Sequence, residues 1–141
     1  MSDFQSLFFR GLAVIIMAVP AAASAADFAQ CNRGGSQMEL NACAVDELAA
    51  ADKKLNEIYK ALLNKEKKNA AFVQKLRAAQ RAWLAFRDAE LDAMFACNES
   101  DQRQCWGSML PMRFAYYKAK LTSERAARLQ QLLDHGQPAD D

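Results

Sequence analysis

Histidine is almost missing from this 141-residue chain; the single copy, His135, stands near the C-terminus. Glycine and proline are scarce. After residue 26 they occur only as Gly34, Gly35, Gly107 and Gly136 and as Pro111 and Pro138. So few turn residues argue against the many short strands of a sandwich or barrel. They also leave no glycine-rich phosphate loop. None of the four cysteines forms a CxxC pair, which with one histidine argues against a zinc site. Charge of one sign is lacking too: 18 basic against 17 acidic residues leave a net charge of +1. That balance offers no electrostatic case for nucleic acid or an anionic membrane.

What the chain does have begins with a leader. Arg10 precedes the apolar run "GLAVIIMAV", followed by Pro20 and the small-residue stretch "AAASAA". This is the order of a secretory signal peptide over residues 1–26, with cleavage after Ala25 or Ala26. The apolar run is too short to span a bilayer. Phe28 and Gln30, just before Cys31, do not form a lipobox, so no membrane anchor is expected after cleavage. The mature chain is therefore expected in a periplasm or outside the cell. Its domain, residues 27–136, is about the size of one core-forming unit, and "QPADD" at 137–141 reads as an acidic tail.

Cys31, Cys43, Cys97 and Cys105 all lie in the mature part. An even count in an exported chain points to two disulfides. The local pairing, Cys31–Cys43 with Cys97–Cys105, is favoured. Cys43–Cys97 with Cys31–Cys105 is the geometric alternative in an antiparallel hairpin.

Apolar periodicity predicts three helices and no strands, hence an all-α, antiparallel three-helix bundle stapled by two disulfides. The first is expected over Gln37 to Glu66, with Ser36 as N-cap, Glu39 closing a capping box, and Met38, Ala42, Val45, Leu48, Leu55, Tyr59 and Leu62 inward. The polar run "NKEKKN" reads as a turn, with one long continuous helix as the alternative. The second is expected over Ala70 to Ala96, with Phe72, Leu76, Trp83, Phe86, Leu91 and Met94 inward. The third begins near Ser108, a candidate cap, and stops at Gly136. Its inward residues are Leu110, Phe114, Tyr117, Leu121, Leu129 and Leu132.

Polar residues interrupt these stripes. In "AQRAWLAFRDAEL", Gln80, Arg87 and Glu90 share the face of Trp83. Asp52 sits between Leu48 and Leu55, and Arg125 between Leu121 and Leu129. Unpaired buried charge costs several kcal/mol, so a paired cluster is expected, with Asp52 and Glu90 bridging Arg87 and Arg125. General acid/base chemistry by Asp52 and Glu90 is the competing reading. It lacks a nucleophile, a histidine in range or a metal, so neither enzyme activity nor a cofactor is expected. The lysines of "KALLNKEKKN", with Lys75, Arg77 and Arg81, make the first hairpin end basic, as a solvated turn would be. Glu99 and Asp101, between Cys97 and Cys105, are candidate contacts for a basic partner.

Three runs, "QMELNACAVDELAAADKKLNEIY", "LRAAQRAWLAFRDAE" and "GSMLPMRFAYYKAKLTSERAARL", resemble the N-terminal domain family of the lysozyme inhibitor LprI. The motif residues stand here as Asn41, Cys43, Asp52, Leu55, Asn56, Tyr59, Gln80, Trp83, Arg87, Asp88, Glu90, Gly107, Ser108, Pro111, Leu121, Thr122 and Arg125. The family places cysteines where this chain has Leu91 and Tyr117, which implies that one interhelical bridge is replaced by the Cys97, Cys105 pair. The resemblance implies a non-catalytic, protein-binding domain whose partner is lysozyme or another envelope protein. A periplasmic scaffold or envelope-stress protein with an unknown partner is the alternative.

Overall fold

Ser36 starts the first helix through reciprocal hydrogen bonds. Its side chain accepts from the Glu39 backbone N–H, and the Glu39 carboxylate accepts from the Ser36 N–H at 2.7 Å. This is the capping box expected from the sequence, and it satisfies two N–H groups that a helix start leaves unpaired. The structure, a computed structural model, describes Cys31 and residues 34–137. The leader expected at residues 1–26 and the tail beyond Gln137 lie outside the described residues.

Helix α1 runs Gln37–Lys65 and α2 runs Ala70–Met94. Between them Asn69 accepts from the Phe72 N–H at 3.2 Å, so a side-chain cap makes the break without glycine or proline. One long continuous helix is thereby ruled out. A single turn, α3 (Gln102–Trp106), begins inside the Cys97 to Cys105 segment and ends one residue past it; periodicity could not reveal so short an element. It is capped by Asp101, whose carboxylate accepts from the Arg103 N–H at 2.9 Å. A 3-10 turn over Gly107–Met109 leads into α4 (Leu110–His135). Ser108 does not cap that helix. The 3-10 turn takes its place, and Pro111, having no N–H, removes one orphan donor from the first turn. Gly136 ends α4 at a φ of 80°, where its N–H reaches the Leu132 carbonyl.

The three long helices run up, down and up. Gln37 at the start of α1 reaches Met112 at the start of α4, and Lys65 at the end of α1 donates to the Leu133 carbonyl. So α1 and α4 are parallel neighbours, with α2 antiparallel to both. Small residues let α1 and α4 close on each other along their length: Ala44 and Ala51 on one side, Ala115, Ala119, Thr122 and Ala126 on the other. Helix α2 stands further off, separated by larger side chains.

Near the α1–α2 turn, Leu55, Ile58, Leu62, Leu76, Ala126 and Leu129 form the core, with Phe72 and Trp83 packed on it. Each fully buried leucine contributes about 1.5–3 kcal/mol. At the other end Phe95 is the hub, with Trp106, Phe114 and Tyr117 at 5.2, 5.4 and 6.2 Å between ring centroids.

Five residues expected inward are not, the small Ala42 among them. Met38 and Val45 are 79% and 57% exposed, and Phe86 and Met94 are 58% and 49% exposed. On α1 the buried line is Ala44, Ala51, Leu55 and Ile58, displaced from Val45 by one residue, or about 100°. Closeness to α4 selected alanine there rather than the larger apolar residue beside it. On α2, Arg87 takes a buried position beside the exposed Phe86.

Candidate functional site

The polar cluster assembles in the middle of the bundle, between the two apolar ends. Helical spacing on α2 puts Gln80, Trp83, Arg87 and Glu90 on its inner side, while α1 supplies Asp52 and α4 supplies Tyr117 and Arg125. Arg87 is 8% exposed, the only charged residue among the described ones that is buried. Its Nε donates to Asp88 Oδ1 at 3.0 Å, and its Nη2 lies 3.0 Å from the same oxygen. Its Nη1 is 3.8 Å from Asp52 Oδ1. The apolar stem is buried while the fork reaches two half-exposed carboxylates, a division of labour that suits arginine.

Trp83 receives both guanidiniums: Arg87 Cζ is 5.2 Å and Arg125 Cζ 5.9 Å from its ring. Arg125 Nε donates to Gln80 Oε1 at 3.1 Å. Burial lowers the Arg125 pKa, and Arg128 nearby lowers it further. A guanidinium still stays charged at any physiological pH.

The expected bridging is therefore corrected in two places. Glu90 does not join the arginines; it accepts a hydrogen bond from the Tyr117 hydroxyl at 3.1 Å. Arg125 is held by an amide rather than a carboxylate. Asp88 is an unforeseen partner for Arg87, since adjacent helix residues do not face one another. The Arg87 side chain nevertheless brings both Nε and Nη2 to that carboxylate. Lys118, 4.0 Å from Asp88, adds a second cation. Tyr117 belongs by periodicity to the apolar stripe of α4, and its hydroxyl is the signal that such a residue can also take a polar partner.

Asp52 and Glu90, the pair considered for acid/base work, thus hold different partners. Among the described residues no group of three His, Cys, Asp or Glu side chains is placed to hold a metal ion.

Both disulfides join local pairs, Cys31–Cys43 and Cys97–Cys105, with Cα atoms 5.5 and 6.0 Å apart. The second closes a loop of eight positions beneath which Trp106 packs on Phe95. Glu99 and Asp101 are exposed on it, Asp101 also serving as the α3 cap. Tyr117 touches α2 at Glu90 and Phe95, flanking Leu91, so a hydrogen bond and a ring contact join α2 to α4 there. At the opposite end, the basic hairpin lines a shallow groove with Lys60, Lys67 and Arg77 against Leu63 and Val73. No described helix is long and apolar enough to cross a membrane.

Fold and cluster together define a small, disulfide-stapled three-helix domain with a paired polar cluster between its helices. Residues 29–129, which include every cluster residue and all four cysteines, match the family model described as lysozyme inhibitor LprI; the chain belongs to that family. It is also similar to an uncharacterized protein of Rhizobium meliloti (strain 1021), at 33% identity over 115 residues, covering 74% of this chain and 78% of that one. No solved structure matches.

Proposed function

We propose that this protein is an exported, non-catalytic binding domain of the lysozyme-inhibitor type, which acts by occluding its protein target. The loop between Cys97 and Cys105 is the proposed contact. One observation carries this reading: the loop is closed by a disulfide, carries the α3 turn and is tied to the core through Trp106 on Phe95, while Glu99 stays exposed. Binding surfaces commonly sit on loops held by a rigid scaffold. Lysozyme of the c type is basic, so an acidic loop suits it and gives salt-sensitive association.

Export is supported by the leader-like N-terminus and by two disulfides, which persist in oxidising compartments. The non-catalytic reading is supported by the separate engagement of Asp52 and Glu90.

The test is a titration of oxidised protein against a c-type lysozyme acting on cell walls, beside a reduced and alkylated sample. Saturable inhibition that disappears on reduction is the expected result. Glu99→Lys combined with Asp101→Asn, which keeps a capping side chain, should weaken inhibition while leaving helix content unchanged. No inhibition at large molar excess removes lysozyme as the target, and capture of envelope partners becomes the next experiment.

A further inference from the structure

Helix α2 is the least covered of the long helices. Only Leu76, Arg87 and Leu91 are buried on it, and three large apolar side chains, Leu84, Phe86 and Met94, stay exposed. Its outward side is not the charged face that a solvated helix usually presents. Lys75, Ala78, Ala82, Ala85, Ala89 and Asp92 are all exposed and follow alternating spacings of three and four. Such spacing keeps residues in one straight stripe, the seam geometry of paired helices. Phe86 borders the stripe on one edge; Arg81 and Asp88 border it on the other. Among the described residues, Lys75, Arg81 and Asp92 make no ion pair within the chain.

The stripe is complementary to itself. A second α2 laid antiparallel, about a two-fold axis at mid-stripe, sets Lys75 against Asp92, Ala78 against Ala89 and Ala82 against Ala85. Each pairing occurs twice, as a two-fold interface requires. Like edges meet in an antiparallel pair, so Arg81 comes beside Asp88, and Phe86 of each copy covers the alanines opposite. A parallel pair would bring Lys75 to Lys75 and Asp92 to Asp92. Charge thus selects both partner and direction.

We propose that this face of α2 is the interface of a homodimer, with two copies of the chain pairing antiparallel along Lys75 to Asp92. Alanines in the seam let the helices approach closely, and Phe86 supplies the buried apolar area. A single helix pair is a small interface by the standards of stable complexes, so the dimer depends on concentration.

Charge exchange tests the register directly. The mass of the purified, oxidised chain would be followed by sedimentation equilibrium over a range of concentrations at low salt. The expected result is a rise from one chain to two. Lys75→Glu and Asp92→Lys each turn two attractive contacts into two repulsive ones, and each should weaken dimerisation by about tenfold or more. An equal mixture of the two variants restores both contacts in the heterodimer and should associate like the wild type. Ala85→Glu should give a monomer with unchanged helix content, because the site is exposed in a single chain. A wild type monomeric at every concentration would overturn the proposal. So would a dimer indifferent to these substitutions, or variants that fail to rescue one another.

Discussion

Two guanidiniums lie within cation–π range of one indole: Arg87 at 5.2 Å and Arg125 at 5.9 Å from the Trp83 ring. Since they come from α2 and α4, Trp83 ties the loosely packed helix to the close-packed pair. Each contact is worth about 0.5–2 kcal/mol, beyond the area the ring buries. Trp83→Ala should therefore cost about 3 kcal/mol, the low end for removal of a core tryptophan, because the ring is half-buried. Arg87→Lys should cost at least about 1 kcal/mol, as lysine cannot reproduce the fork that meets Asp88 and Asp52. Urea unfolding followed by circular dichroism measures both. A loss under about 1 kcal/mol for Trp83→Ala would show that the cluster does not hold the bundle together.

The Tyr117 hydroxyl gives an alkaline signature. Its hydrogen bond to Glu90, then burial, raise its pKa above the ordinary 10.0. The folded state therefore holds this proton more tightly than the unfolded state. Its contribution is fully present below pH 10 and is lost as pH rises through the folded value. Tyr117→Phe should lower the thermal midpoint at neutral pH and remove that part of the alkaline decline. Identical pH profiles for the two proteins would refute the assignment.

Thr122 is fully buried where α1 and α4 close on each other, and its hydroxyl has no hydrogen-bond partner. Leaving such a group unsatisfied costs about 1–3 kcal/mol. Thr122→Val keeps the shape and removes the hydroxyl, so it should stabilise the protein by about 1 kcal/mol. A destabilised variant in the same urea titration would mean that the hydroxyl is satisfied in solution.

The capping box gives an acid signature of opposite sense. Hydrogen bonds from the Ser36 side chain and backbone hold the Glu39 pKa below 4.5. Its contribution is therefore present above that value and lost as pH falls through the folded value. Ser36→Ala should cost about 1 kcal/mol at pH 7. Glu39→Gln should flatten the acid limb of stability against pH; an unchanged limb would assign that limb to other carboxylates.

The start of α1, the stop of α4 and the staples were legible because each depends on residues close together in the chain. Ser36 and Glu39 are three apart, Gly136 closes the turn that begins at Leu132, and each cysteine pair spans a short loop. The cluster's membership was legible as polar residues in apolar stripes. Its wiring was not, because Glu90 could meet Arg125 or Tyr117 according to how α4 is turned and how high it stands.

The amino-acid sequence by itself determined an all-helical domain, the start of its first long helix, the end of its last and the residues that share each face, since backbone hydrogen bonds and caps act over three or four positions. Only the tertiary structure decided that Ala44 rather than Val45 faces α4, that Asp88 rather than Glu90 serves Arg87, and that Phe86 stays outside. Those choices follow from the relative rotation and spacing of whole helices. They come from contacts between residues tens of positions apart, which no local pattern encodes.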